Sequence, residues 1–406
     1  MRKWLLFLVP AIALLAVYFF LYHKNKELKY IPEDADAVVL LDMKNLTRKY
    51  LAETISHPSV WFKDGEKKGK ISWRNAGIKI PDFIQLFHLK NESFSDWYAV
   101  LEIKNKEELL LFLQDNSFQN KGNGYYSNGN VFLKINAENC IAGTSQKSLA
   151  AIETSLKSNS TLLNANEFIT DEIGSLGIIS GKSREKYSIH LNDDNIEISN
   201  SNAVKMAESV LSENMKQTGF ISAQLDQKNI HRLSKLFQNS LFSDSKITSL
   251  NISVDLRQVS DTIISYDYDE NFNEVEKISY QKIVQPQYLV QIKTKKPEEV
   301  WTSFEQKNWI NQQNQFTAIP FLPNRISKNE KGILITSPAH PEITNDPAEN
   351  FILVKNNPLL LSSFKSLPTK IVKKAGDLES VFYWNNKSQI LLRFQFKSGG
   401  LPLILR

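Results

Sequence analysis

Recognisable catalytic and metal-binding motifs are missing from this chain of 406 residues. It has a single cysteine, Cys140, which excludes a disulfide within the chain and a thiolate metal cluster. None of the six histidines lies at HExxH or a comparable ligand spacing. Two S-x-x-K patterns, at 183–186 and 362–365, lack the companion motifs of serine–lysine hydrolases. We therefore predict no catalytic residue, no cofactor, no metal ligand and no enzymatic activity.

An acidic stretch at 267–274, DYDENFNE, partly follows the calcium-binding loop of an EF-hand. Aspartate and asparagine occupy its first three ligand positions from Asp267 onward. Phe272, however, stands where the loop requires glycine, and Ile278 stands where the bidentate glutamate belongs. The sequence therefore predicts a solvated hairpin loop here rather than a calcium site.

Charge of one sign is not concentrated in most of the chain. The formal net charge is +5, but residues 1–30 carry five of the 49 basic residues and one of the 44 acidic ones. Residues 31–406 are therefore nearly neutral. A protein that binds nucleic acid through its phosphates needs a basic patch or stripe. Nucleic acid is consequently not a predicted partner.

One long apolar segment is present at 4–22, with the sequence WLLFLVPAIALLAVYFFLY. As a helix it would reach roughly 28 Å, against a bilayer core of about 30 Å. We predict a transmembrane anchor, because the segment exceeds the usual apolar region of a signal peptide and ends without a small-residue cleavage site. A cleaved signal peptide is the alternative.

The predicted anchor divides the N-terminal region into a short tail at 1–3, the anchor at 4–22 and a stalk at 23–30. Basic residues on both sides of the anchor nearly cancel in the positive-inside rule. The short basic start favours a cytoplasmic N-terminus and an exported body. The prediction is a single-pass membrane protein whose body lies on the exported side, periplasmic or extracytoplasmic.

The chain contains an internal repeat. Four sequence matches occur in the same order and at nearly constant spacing, which predicts a duplicated module. The alternative is that strand–helix units generically produce such similarity. The matches are LDMKNLTR (41–48) with LDQKNIHR (225–232), VLEIKNKEELLLFLQ (100–114) with LVQIKTKKPEEVWTSFEQ (289–306), CIAGTS (140–145) with ILITS (333–337), and NEFI (166–169) with ENFI (349–352).

Local patterns indicate short helices and many hairpins. A helix follows the apolar strand at 37–41, with Asn45 as its N-cap, and Asn105 caps a second helix with Glu108 at N3. Asn128-Gly129 predicts a type I′ hairpin turn. Further antiparallel pairs are predicted at 187–199, 247–269 and 380–396.

These elements predict an α+β fold, in which the transmembrane helix precedes two similar modules of antiparallel sheet with helices packed on one face. The modules are placed at 31–213 and 214–406, although the helical stretch at 203–215 fits either one. Of the tryptophans after the anchor, most are predicted in the core or at its rim. A surface groove for a partner or apolar ligand is the alternative.

Three segments carry a resemblance to a known family: IPEDADAVVLLDMKNL, YAVLEIKNKEELLLFL and IAGTSQKSLAAIETSL. In this order after an N-terminal anchor, the chain resembles bacterial membrane-anchored envelope proteins of unknown function with a duplicated α+β module. The likeness covers most of 31–170 and, more weakly, 219–355. It implies the fold and membrane attachment, and it brings no catalytic residues.

The sequence alone therefore favours a single-pass membrane-anchored envelope protein that acts as a non-enzymatic binding or scaffold module. Its expected partners are the membrane and a protein or cell-envelope component. The alternative is a carrier or chaperone for a lipid or another apolar ligand. A hydrolase with an unrecognised site ranks third.

Overall fold

The structure of the chain is a computed structural model. The structure describes residues 15, 18–26, 28–61, 75–158, 162–200, 203–236, 246–268, 272–319, 324–338, 349–363, 376–386 and 388–406. These residues separate into two compact units, residues 1–200 with 398–406 and residues 201–397.

The predicted anchor at 4–22 falls largely outside the described residues, which include only 15 and 18–22 of it. Within the described part of the chain, no helix is both long and apolar enough to cross a membrane. The predictions of a single-pass anchor, of the membrane as a partner and of a membrane localisation with an exported body are therefore wrong.

The first unit is built on an antiparallel sheet of ten described strands. From one edge to the other, the strand order is β10-β9-β8-β1-β2-β3-β7-β6-β5-β4. The strands are β1 (Ala35–Asp42), β2 (Phe83–Leu89), β3 (Trp97–Glu102), β4 (Gln119–Gly122), β5 (Tyr125–Asn128), β6 (Val131–Ile135), β7 (Asn139–Gly143), β8 (Gly174–Ser180), β9 (Ser183–Leu191) and β10 (Asn195–Ser199).

Three helices of this unit connect its strands: α1 (Met43–Ser56), α2 (Lys106–Asp115) and α3 (Leu149–Ser158). The Asp42 side chain caps α1 by accepting a hydrogen bond from the Asn45 backbone N–H at 2.9 Å. The predicted cap was Asn45, which instead lies inside the helix. The predicted cap of α2 is confirmed, since Asn105 accepts from the Glu108 N–H at 3.2 Å. Such caps satisfy backbone donors that the first helical turn leaves unpaired.

The core of the first unit lies on one face of its central strands. Alternation along β1 turns Val38 and Leu40 inward. The rings of Phe87 and Tyr98, on the neighbouring strands, lie with their centroids 6.1 Å apart. From α3, the buried Ile152 packs against the same cluster. The burial of this apolar surface is the main source of stability for the sheet.

The second unit contains an antiparallel sheet of eight described strands. Their order is β18-β17-β16-β11-β12-β13-β15-β14. The strands are β11 (Ile221–Asp226), β12 (Ile247–Tyr268), β13 (Glu274–Thr294), β14 (Arg325–Asn329), β15 (Gly332–Thr336), β16 (Asn350–Lys355), β17 (Leu378–Asn386) and β18 (Gln389–Phe396).

Helices of the second unit cover parts of this sheet. In one cluster Phe304, Trp309 and Phe316 pack together, with ring centroids 5.2 to 6.2 Å apart. In another, the fully buried Trp384 packs under the first of the helices, and its Nε1 donates to Glu349 Oε2 at 2.6 Å. The helices are α4 (Ala203–Met215), α5 (Gln227–Leu236), α6 (Pro297–Gln306) and α7 (Pro358–Ser363).

The two units share one strand order. The sequence β10-β9-β8-β1-β2-β3-β7-β6 of the first unit corresponds to β18-β17-β16-β11-β12-β13-β15-β14 of the second, and the first unit adds β4 and β5. Three of the four sequence matches fall on corresponding elements. The fourth does not, because Phe168 lies in a 3₁₀ turn before β8, whereas Phe351 lies within β16.

The predicted α+β fold with an N-terminal transmembrane helix is wrong. Antiparallel strands dominate the described chain, eighteen in all, and the helices that connect them are few and short. The strands at 247–268 and 274–294 are longer than the antiparallel pair predicted at 247–269, and their ends reach into the stretch predicted as a loop at 267–274. The compact units also have other limits than the predicted modules: α4 belongs to the second unit, and residues 398–406 belong to the first.

Candidate functional site

A long β-hairpin extends beyond the sheet of the second unit. Strand β11 pairs with β12 only as far as Val254, and β15 pairs with β13 only from Leu289 onward. Beyond these points, β12 and β13 pair with each other and with no other described strand. We call residues 255–268 and 274–287 the arm. At about 3.3 Å per residue, it is about 45 Å long.

The amino-acid sequence of the arm favours this ribbon. Its register is regular from the Asp255–Gln287 pair to the Tyr268–Glu274 pair. β-branched and aromatic residues recur along both strands, and these residue types favour extended backbone. Pro286, which lacks a backbone N–H, lies just outside the stretch that pairs with β15, where a missing donor is tolerated.

One face of the arm is apolar and exposed. Cross-strand pairing places Ile264 opposite Ile278, Tyr266 opposite Glu276 and Thr262 opposite Tyr280, so these side chains share a face. The four large apolar ones on this face, Ile264, Tyr266, Ile278 and Tyr280, are 54, 66, 54 and 75 % exposed. We call them the apolar face. Contiguous exposed apolar surface of this kind marks an interaction site.

The tip of the arm is acidic, and its opposite face is mixed. Residues 267–276 include five acidic residues and no basic one. Phe272, at the tip, is 87 % exposed with a φ of 60°. On the opposite face, Ser265 pairs with Lys277 and Ile263 with Ser279. The arm is therefore amphipathic, with one apolar face and an acidic tip.

The stretch that partly follows an EF-hand loop lies at this tip. Residues 269–271 lie outside the described residues, so two of the three ligand-type positions cannot be located. In the described residues, no group of three or more His, Cys, Asp or Glu side chains is arranged to hold a metal ion. The absence of a calcium site stays a prediction.

A polar network lies at the end of β11. Asp226 Oδ1 accepts from the backbone N–H and the side-chain amide of Asn229, at 2.8 and 2.9 Å, and Asp226 Oδ2 accepts from Asn350 at 3.1 Å. Burial alone would raise the pKa of Asp226, but these hydrogen bonds hold it below its usual value. Asn229 also donates to Asn385 Oδ1 at 3.1 Å and accepts from the Tyr383 hydroxyl at 3.2 Å.

The corresponding place in the first unit carries a related network. Asp42 is buried and forms an ion pair with Lys24, whose Nζ also donates to Asn45 Oδ1 at 3.0 Å. The Asn45 amide donates to the carbonyls of Asp171 and Glu172, at 2.8 and 2.6 Å. Other groups of the protein supply the hydrogen-bond partners of these side chains. Both networks therefore have a structural role, in which they link the start of a helix to neighbouring strands.

The first unit also contains an open cleft of about 570 Å³. Apolar residues, among them Leu51 and Ile55 of α1, line one part of it. Arg48 reaches into its wall, where the guanidinium donates to the Leu21 carbonyl at 2.7 Å and stacks on the Tyr22 ring at 4.5 Å. The lining thus combines apolar surface with charged residues of both signs, which suits an amphipathic ligand.

The S-x-x-K pattern at 183–186 does not form a catalytic pair in the described chain. Ser183 and Lys186 lie three residues apart on β9, so their side chains point to opposite faces of the strand. Lys365 of the second pattern lies outside the described residues. Cys140 is buried in β7, and this burial raises the pKa of its thiol to about 12, which suppresses the reactive thiolate.

His88 takes a structural position, whereas the tryptophans differ in burial. Both ring nitrogens of His88 are engaged, by Asp36 at 2.6 Å and the Ser93 carbonyl at 2.9 Å. Of the tryptophans, Trp384 is fully buried, whereas Trp61 is 58 % exposed. Trp73 lies outside the described residues.

No protein-family model, no curated protein and no solved structure matches this chain. The resemblance to bacterial envelope proteins of unknown function therefore stays a prediction.

The sequence predicted a hairpin at 247–269 but missed the arm as a surface. The available signal was the alternation of residues on both sides of the acidic loop, which continues well past the usual strand length of five or six residues. A strand of such length cannot stay within one sheet of ordinary size. Its outer part must therefore extend beyond the neighbouring strands.

Proposed function

We propose that this chain is a non-enzymatic binding protein that recognises a protein partner through the apolar face of the arm. The observation that carries the proposal is the exposure of four large apolar side chains on one face of a ribbon that no other described strand supports. Each of these side chains would gain favourable transfer free energy on leaving water, about 25 cal/mol per Å².

The composition of the face supports a protein partner. Tyrosine is enriched in the centres of protein interfaces, and Tyr266 and Tyr280 frame the Ile264–Ile278 pair on this face. The ribbon is ordered by its own backbone pairing before it meets a partner. Pre-ordering reduces the entropy lost on binding.

Site-specific photocrosslinking would test this proposal. A benzophenone amino acid replaces Ile264, on the apolar face, or Ser265, its exposed neighbour on the opposite face, in the full chain within expressing cells. We expect discrete protein adducts from position 264 and few from position 265. Equal yields from both positions, or adducts from neither, would refute a protein interface on this face.

The cleft in the first unit favours a second candidate function, a carrier for an amphipathic ligand. Its volume of about 570 Å³ lies in the range of small-molecule sites. Native mass spectrometry of the purified full chain tests this candidate. A bound mass that Leu51→Asp removes would support it, and a wild-type spectrum without any bound mass would contradict it.

A further inference from the structure

The apolar face is complementary to itself. The inference drawn from this complementarity deepens the proposed function and rests on that function. We propose that the partner of the arm is a second copy of this chain. The two arms pack apolar face to apolar face and run antiparallel about a two-fold axis. The order of side chains along the face favours this arrangement.

From base to tip, β13 presents Lys282, Tyr280, Ile278 and Glu276 on this face, all exposed. The residues paired with them across the ribbon are, in the same order, Ser260, Thr262, Ile264 and Tyr266. The apolar pairs thus lie in the middle, with a cation towards the base and an anion towards the tip.

A two-fold axis that passes midway between the levels of Tyr280 and Ile278 places each side chain of one arm over a complementary side chain of the other arm. It places β13 of one copy over β13 of the other, so that Tyr280 meets Ile278 of the second copy. The same rotation places Lys282 over Glu276 of the second copy, and the reciprocal pair forms at the other end. Because facing sheets pack about 10 Å apart, these side chains are long enough to meet.

The charges select this arrangement over the others. A parallel arrangement would bring the two acidic tips together, and like charges brought side by side oppose association. In the antiparallel arrangement, each acidic tip lies over the base of the other arm, near the Leu256–Pro286 pair. Within the described chain, neither Lys282 nor Glu276 has an ion-pair partner of its own, so both remain available.

The size of the arm sets the expected strength of the dimer. A ribbon about 45 Å long and two strands wide presents roughly 450 Å² per copy, or about 900 Å² in all. This area lies below the 1,200–2,000 Å² of typical stable interfaces, so it corresponds to a weak, reversible dimer. A closed two-fold contact also limits assembly to two copies.

Sedimentation velocity of the full-length chain between about 1 and 300 μM tests the proposal. We expect the wild type to shift from monomer to dimer over this range. Lys282→Glu should raise Kd at least tenfold, and Ile278→Asp should leave a monomer throughout. The double variant Glu276→Lys/Lys282→Glu exchanges the two charges and should restore the wild-type Kd within about threefold. Lys277→Glu makes the same charge change on the opposite face and should leave Kd unchanged.

Several results would overturn the self-association. These are a wild type that stays monomeric, a dimer that survives Ile278→Asp, a charge exchange that fails to restore Kd, and a Lys277→Glu effect equal to that of Lys282→Glu. Photocrosslinking separates this failure from that of the proposed function. Adducts from position 264 to a different protein would contradict the dimer but support the binding function. The absence of any adduct would contradict both proposals.

Discussion

Replacing Asn229 with alanine should destabilise the second unit by about 2–4 kcal/mol. The side chain is 2 % exposed. Its amide donates to Asp226 and Asn385, and its oxygen accepts from the Tyr383 hydroxyl. Alanine removes all three hydrogen bonds while keeping the backbone N–H that Asp226 caps.

The magnitude follows from what the substitution leaves behind. Three net hydrogen bonds contribute about 0.5–1.5 kcal/mol each, or about 1.5–4.5 kcal/mol together, and a buried acceptor left without a donor keeps the loss away from the lower end of this range. The Asn385 oxygen is such an acceptor, whereas Tyr383 keeps a hydrogen bond with Arg232. The loss is large against a domain stability of about 5–15 kcal/mol.

Urea unfolding, followed by tryptophan fluorescence and far-ultraviolet circular dichroism, measures the effect. Lys228→Ala is the matched control, because Lys228 is the exposed neighbour of Asn229 on the same helix and should change stability by less than about 0.5 kcal/mol. Asn45→Ala should produce a comparable loss in the first unit, since Asn45 bonds two carbonyls there. A midpoint for Asn229→Ala that matches the wild type would refute the reasoning.

Three further predictions concern pH, packing and reactivity. The folded-state pKa of Asp226 is depressed, so its contribution to stability is fully present above the unfolded value of about 4 and is lost as pH falls through the folded value. Asp226→Asn should therefore flatten the acid limb of stability measured against pH, and an unchanged limb would contradict this. Gly177→Ala would place a Cβ 2.5 Å from the Phe168 ring and should cost about 1–3 kcal/mol in thermal or urea unfolding. Gly376→Ala, where a Cβ meets nothing within 4 Å, is its control and should be nearly neutral. Cys140 should react with a thiol reagent at pH 8 only after urea unfolds the chain, and rapid labelling of the native protein would show that the thiol is not buried as described.

Local signals in the sequence identified individual elements well. The cap at Asn105 and the hairpin near 128 are both present. The turn of that hairpin differs by one residue, because Asn128 pairs with Val131 and the loop is Gly129 and Asn130. Only Gly129 of the two has a positive φ, as in a type II′ turn rather than the predicted type I′. Turn type depends on the register of the flanking strands, which an Asn-Gly pair does not determine alone.

The sequence could not predict which strands pair with each other across long separations in the chain. Strand β1 lies between β2 and β8, and its own residues do not identify either of these neighbouring strands. The arm was missed for a related reason. Alternating residues predict a strand with two different faces, but whether its apolar face is buried depends on which elements lie above it. Composition likewise identified an apolar N-terminal segment without determining what it contacts.

The strand order has a consequence for synthesis of the chain on the ribosome. In each unit the first described strand, β1 or β11, becomes an inner strand, and one of its two neighbours, β8 or β16, begins 139 or 129 residues later. At about 5–20 residues per second, a nascent β1 waits roughly 7–28 seconds with one edge unpaired. Unpaired edges of this kind invite pairing with other nascent chains. Slower translation should therefore lengthen the interval during which this chain needs a chaperone.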